Sequence, residues 1–171
     1  AVGWPSAVQV AIDTWTGLRA DPTYCNDSVE VRTFANINDN AALGWLRTAE
    51  GQPTAAQLGL GPNPQPAPAA ACDVNTVRPN VRITQPVEGT TVEGQVNVIG
   101  FATGADLANY QIELIPANNP GSIFIVAGPF TNQVPTEGIL AQFSSTPFPA
   151  GQYTLRLNAR STRGGFILRD T

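Results

Sequence analysis

The sequence predicts a mainly β protein. Residues 78–171 read as an antiparallel β-sandwich, preceded by a small α+β unit at 1–60 and a Pro-rich linker at 61–77. Three observations carry this. Residues 92–98, 110–114 and 153–159 alternate apolar and polar side chains with period two, so a pleated strand there buries one face and wets the other. Gly, Pro and Asn turn signals separate those runs at the spacing of a sandwich. Four prolines between positions 62 and 68 forbid a helix and favour an extended spacer, which places a boundary there.

The elements follow in order. Residues 8–13 alternate like a strand, Thr16 and Gly17 read as a turn, and 18–20 as a short return. Residues 29–34 are a second strand. Asp39 can cap a short helix over 40–47, with Leu43, Leu46 and Trp45 as its apolar stripe and Gly51 as its stop. Residues 54–58 make one further helical turn. In the sandwich, Val96, Val98, Tyr110, Ile112, Leu114, Phe143, Tyr153, Leu155 and Leu157 are the expected core.

The stretch Ile83-Thr84-Gln85-Pro86-Val87-Glu88-Gly89, the run Val92-Glu93-Gly94-Gln95-Val96-Asn97-Val98-Ile99-Gly100, then Tyr110-Gln111-Ile112-Glu113, Gly138-Ile139-Leu140 and Pro149-Ala150-Gly151-Gln152-Tyr153-Thr154-Leu155-Arg156-Leu157 carry a resemblance. They resemble the Ig-like module at the C-terminal end of some bacterial penicillin-binding proteins and of other secreted bacterial proteins. Residues 10–18, with Ile12-Asp13 and Thr16-Gly17-Leu18, and the following Cys25 are similar to the segment that precedes the module in those proteins. The resemblance implies an Ig-like sandwich and an accessory role. The family's Trp-Asp pair after the Gly-x-Leu strand is replaced here by Phe143-Ser144.

Composition bounds the chemistry. Hydrophobic residues make up 42% of 171, enough for a packed core, and no stretch approaches a membrane span. The net charge is −4, with scattered Arg and no Lys, which argues against nucleic acid. The chain begins at Ala1 without Met, as a processed chain or an excised fragment would. Cys25 and Cys72 are the only cysteines. They read as a disulfide of an oxidising compartment, with two buried free thiols as the alternative. Two thiolates with no His do not make a four-ligand zinc site.

Without Lys, the Ser-x-x-Lys and Lys-Thr-Gly motifs of the penicillin-binding transpeptidase are impossible. Without His there is no Ser-His-Asp triad. The acid pairs Glu88/Glu93 and Asp13/Asp21 read as solvated turn acids rather than a glycosidase pair. Residues 36–40, with Asp39 as sole carboxylate, read as a loop rather than a calcium site. No cofactor or metal is expected. Asn26-Asp27-Ser28 is a glycosylation sequon. Trp4, Trp15 and Trp45 read as core, with a sugar-stacking platform as the alternative.

The expected function is therefore a non-catalytic, extracellular or cell-surface structural module that acts through protein contacts. Its partners would be other copies of itself, as in a filament, or other cell-envelope proteins. Val8, Val10 and Ile12 would be the donor strand for such an assembly. Two alternatives remain: the accessory tail of a cell-wall synthase that binds or positions at peptidoglycan, and a carbohydrate-binding module.

Overall fold

The computed structural model describes residues 5–37 and 39–171. The chain divides into two compact units, Ala1–Thr76 and Val77–Thr171. It is mainly β, 46% strand and 8% helix, with antiparallel sheets.

The first unit contains strands β1 (Ala7–Asp13) and β2 (Val29–Ala35) and helices α1 (Asn40–Leu46) and α2 (Gln52–Gln57). The two strands pair antiparallel from Ala7 opposite Ala35 to Asp13 opposite Val29. After β1 the chain turns on Gly17, whose φ of 75° suits a residue without a Cβ. Residues 18–20 then return along the outer edge of β1, with Asp13 N–H donating to the Leu18 carbonyl and Ala20 N–H to that of Ala11. Asp39 caps α1 as its side chain predicts, accepting from Ala41 N at 2.8 Å. Leu43 and Leu46 are buried with Ala35, Ala55 and Leu60 in one small core. Trp45 points to solvent, 39% exposed, because at helical spacing it falls off the stripe of Leu43 and Leu46. Gly51 does not end α1; it is the N-cap of α2.

The division at 76/77 lies one residue from the expected start of the sandwich at 78, and residues 61–76 group with the first unit rather than standing between the two. The proline run is not a free spacer but a strap lying on the first unit. Arg47 Nη2 donates to the Pro64 carbonyl at 2.8 Å and Gln52 Nε2 to that of Pro62 at 3.1 Å. Ala35 N–H donates to the Gln65 carbonyl at 2.8 Å, and Cys72 N–H to that of Arg19 at 2.9 Å. Proline lacks a donor but keeps its carbonyl, so an extended proline run can still accept hydrogen bonds from the structure beside it.

The second unit has seven strands: β3 (Asn80–Gln85), β4 (Gln95–Thr103), β5 (Leu107–Pro116), β6 (Phe124–Phe130), β7 (Val134–Ser144), β8 (Tyr153–Ser161) and β9 (Phe166–Asp170). They form a three-stranded sheet, β3-β4-β7, and a four-stranded sheet, β6-β5-β8-β9. The expected core residues Val96, Val98, Tyr110, Ile112, Leu114, Phe143, Leu155 and Leu157 are all buried. Tyr110 on β5 reaches across the core, its hydroxyl donating to the Leu140 carbonyl on β7 at 3.2 Å.

Two details of the expected pattern change. β4 begins at Gln95 rather than Val92, because Gly94 takes a φ of 69° and turns the chain into the strand, leaving Val92 exposed. Tyr153 is half-buried rather than buried, because it opens β8 at the rim of the sheet.

Candidate functional site

The chemistry-bearing residues of the first unit converge on the hairpin after β1. Cys25 and Cys72 are bonded, with Cα atoms 6.1 Å apart. Both are buried, and Thr16 Oγ1 lies 3.9 Å from Cys72 Sγ. Asp13 is not a solvated turn acid: it is 0% exposed. Its carboxylate accepts from Thr16 Oγ1 at 2.6 Å and from Thr16 N at 3.1 Å, which closes the turn from inside. Beside it, the Thr14 and Ser28 hydroxyls are hydrogen-bonded. Asp13, Cys25 and Cys72 bring three potential ligand atoms within 4.8 Å of one another. Both sulfurs are held in the bridge, so neither is the thiolate that ligates metals. The cluster therefore acts as a fastener for the strap.

The other predicted positions are dispersed. Val8, Val10 and Ile12 share one face of β1, and that strand is already paired with β2 along its length. Ile12 is fully buried. Asn26 is exposed, with its Nδ2 donating to the Pro22 carbonyl at 2.7 Å. Trp15 is 1% exposed and belongs to the core, Trp45 is on the surface, and Trp4 lies outside the described residues, as does Asn38 of the 36–40 loop. Glu88 and Glu93 are exposed. Asp21 Oδ1 accepts from Thr23 N at 2.8 Å, as a turn acid does.

Sequence reasoning missed a surface at one end of the second unit. There β5 hands over to β6 through residues 117–123, and β7 to β8 through 145–152. Pairing of Pro116 with Tyr153 and the hydrogen bond from Ala117 N–H to the Gln152 carbonyl bring these two loops side by side. Pro147 and Pro149 stiffen the second loop, and the Tyr153 hydroxyl pins it by donating to the Pro149 carbonyl at 2.7 Å.

Between the loops stands a ladder of rings. Phe148 packs edge-on against Phe124, centroids 5.6 Å apart, and against Tyr153 at 6.2 Å. On one side of the ladder is a cleft of about 620 Å³, lined by Pro116, Asn118, Asn119, Gln152 and Tyr153 with the rings. On the other is a shallower one of about 540 Å³, lined by Ile123, Ile125, Val126 and Phe143 with Phe124 and Phe148. None of the residues lining either cleft is Asp, Glu, Lys or Arg. The apolar rim continues from Ile123, 52% exposed, into the start of β6, where Phe124 is 45% and Ile125 59% exposed. The signal in the sequence was the uncharged run from Pro116 to Phe130, which period-two counting passes over.

Two groups have shifted acidities. Burial pushes the Tyr110 hydroxyl above its ordinary pKa, against a smaller opposing pull from a hydrogen bond with Asn132. Arg156 is held more firmly protonated, chiefly by its hydrogen bond to Asp170 at 2.7 Å. Neither lines the clefts. Buried Glu113 accepts from Gln111 Nε2 at 2.6 Å and Asn158 Nδ2 at 3.0 Å, so it is satisfied within the sheet.

No family model, curated protein or solved structure matches this chain.

Proposed function

We propose that this chain is a non-catalytic extracellular module that works through protein contacts, and that strand β6 is where it associates with a second copy of itself. The observation that carries this is the state of β6. It is an edge strand, paired on one side only, that opens on exposed Phe124 and Ile125, with exposed Ile123 just before it. Proteins ordinarily blunt such edges with charge. The other three edges of the second unit follow that practice: β3 holds Arg82, β7 Glu137, and β9 Arg169 and Asp170. β6 has no ionisable side chain, so an antiparallel copy of itself meets it without like-charge apposition. Gly128, Pro129 and a register irregularity between Ala127 and Phe130 bend its far half, and a second irregularity falls between Ile125 and Ala127, so the pairing centres on Phe124 and Ile125.

Several observations fit the wider reading. The three-plus-four strand order supports an Ig-like sandwich. The Cys25–Cys72 bridge, and the absence among the described residues of a helix long and apolar enough to cross a membrane, are compatible with an extracellular protein. A two-fold β6 contact closes as a dimer, so a filament needs a second patch. Donation of Val8, Val10 and Ile12 would require β1 to leave β2. The second reading, the accessory tail of a cell-wall synthase, rests on the sequence resemblance to the C-terminal region of penicillin-binding proteins.

Sedimentation equilibrium separates them. Self-association predicts a concentration-dependent dimer, weakened about tenfold or more in Ile125→Lys, where two ammonium groups face each other. A wild-type chain that stays monomeric at millimolar concentration, or an Ile125→Lys variant that associates as well as wild type, removes the β6 contact and leaves the accessory-tail reading.

A further inference from the structure

We infer that the ring ladder between the 117–123 and 145–152 loops is a binding site for a neutral oligosaccharide. It goes beyond self-association, although Phe124 and Ile125 border both the track and the β6 contact. Four features point to that ligand class.

The first is charge. The two clefts contain no acidic or basic side chain, so the site offers no ion pair to a charged ligand and no buried charge has to be desolvated when a neutral one binds. The second is the pairing of rings with amides. A pyranose presents a patch of C–H groups on one face and hydroxyls around its rim. Phe124, Phe148 and Tyr153 line the cleft and offer apolar ring surface to the C–H patch, and the exposed amides of Asn118 and Gln152 suit the rim. An amide offers both a donor and an acceptor, as a hydroxyl does.

The main competitor, a polyproline-like peptide, also docks on aromatic grooves and offers carbonyl acceptors that the cleft amides can meet. The Tyr153 hydroxyl already donates to Pro149, so decaproline is the control that decides between the two ligands.

The third feature is length. The clefts of about 620 and 540 Å³ share Phe124, Pro147 and Phe148, so they form one track across the ladder rather than two separate holes. That shape suits a chain of several sugar units. The fourth is rigidity. Phe148 is held edge-on by a ring at each side, and its loop is tied by Phe148 N–H to the Ser145 carbonyl at 3.0 Å and Ser145 N–H to that of Gly94 at 2.8 Å. A platform ordered before binding loses little freedom when a ligand arrives.

The test is a titration of the full chain, followed by amide chemical shifts and by calorimetry. The probes are tetra-N-acetylchitotetraose, cellotetraose, maltotetraose and decaproline. At least one of the three neutral sugars should shift amides in 116–124 and 145–153. The choice among them reports linkage and N-acetylation. Phe148→Ala should weaken that binding about tenfold or more. Asn118→Ala, an exposed position that leaves the fold intact, should weaken it about threefold or more by loss of a hydrogen bond. Titrating at a chain concentration where sedimentation shows only monomer keeps the result separate from self-association. All three tryptophans belong to the first unit, so their fluorescence should stay unchanged on binding. The inference is overturned if none of the sugars binds at millimolar concentration, if the shifts fall outside the two loops, if Asn118→Ala binds as wild type does, or if decaproline binds and the sugars do not.

Discussion

Removing the disulfide tests how the first unit is held together. The perturbation is Cys25→Ser with Cys72→Ser, or reduction of the native chain. The bridge closes a loop between positions 47 apart, for which the chain-entropy treatment gives about 4 kcal/mol. Globular units carry about 0.05–0.15 kcal/mol per residue, so the unit Ala1–Thr76 holds about 4–11 kcal/mol in total. Its described buried apolar residues are few: Ile12, Trp15, Ala35, Leu43, Leu46, Ala55 and Leu60, beside the bridge itself. Loss of the bridge thus takes a large share of the stability, and at about 4–8 °C per kcal/mol the midpoint should fall by about 15–30 °C. The assay follows from the sequence. Trp4, Trp15 and Trp45 all belong to this unit, so tryptophan emission during heating reports it alone. Tyrosine ellipticity, weighted to Tyr110 and Tyr153, follows the sandwich and should keep its midpoint. Equal tryptophan midpoints for the oxidised and double-serine chains would refute the idea that the bridge fastens the strap. A common fall in both midpoints would refute the independence of the two units.

Two predictions concern the sandwich. Tyr110→Phe should cost about 1 kcal/mol at neutral pH by removing the donor to the Leu140 carbonyl. Because burial raises the Tyr110 pKa above 10.0 in the fold, its phenol contributes stability that is complete below that pH and is lost as pH rises through the higher folded value. Urea titrations should therefore show a steeper alkaline loss in wild type than in Tyr110→Phe, and parallel curves would contradict the assignment. Gly100→Ala should destabilise by about 1–3 kcal/mol, since the new Cβ would sit 2.0 Å from the Arg82 carbonyl oxygen and force β3 off β4. Gly44→Ala in α1 meets nothing within 4 Å and should stabilise by about 0.5–1 kcal/mol in the same urea assay.

The sequence by itself determined the parts whose cause is local. Period-two alternation set which of Tyr110, Ile112 and Leu114, or Leu155 and Leu157, face inward, because a strand slipped by one residue would put them all in water. Asp39 set the start of α1, because a short carboxylate before an apolar run satisfies a free N–H there. Cys25 and Cys72, the only two cysteines, left a single possible pairing within the chain.

Tertiary structure decided what depends on distant neighbours. Asp13 reads as a turn acid from its flanks, yet it is buried because Thr16 folds back to donate to it and the bridge closes over it. The prolines of 62–68 read as a spacer, yet they bind the first unit because carbonyls of an extended chain find Arg47 and Gln52. Val92 fell outside its strand because Gly94 bends the backbone in a way that alternation does not register. The ring ladder is the clearest case. Phe124, Phe148 and Tyr153 come from β6, a loop and β8, and only the pairing of β5 with β8 sets them 5.6 and 6.2 Å apart. A period describes one strand's two faces. A site assembled from three segments depends on sheet order, which no single stretch of this sequence encodes.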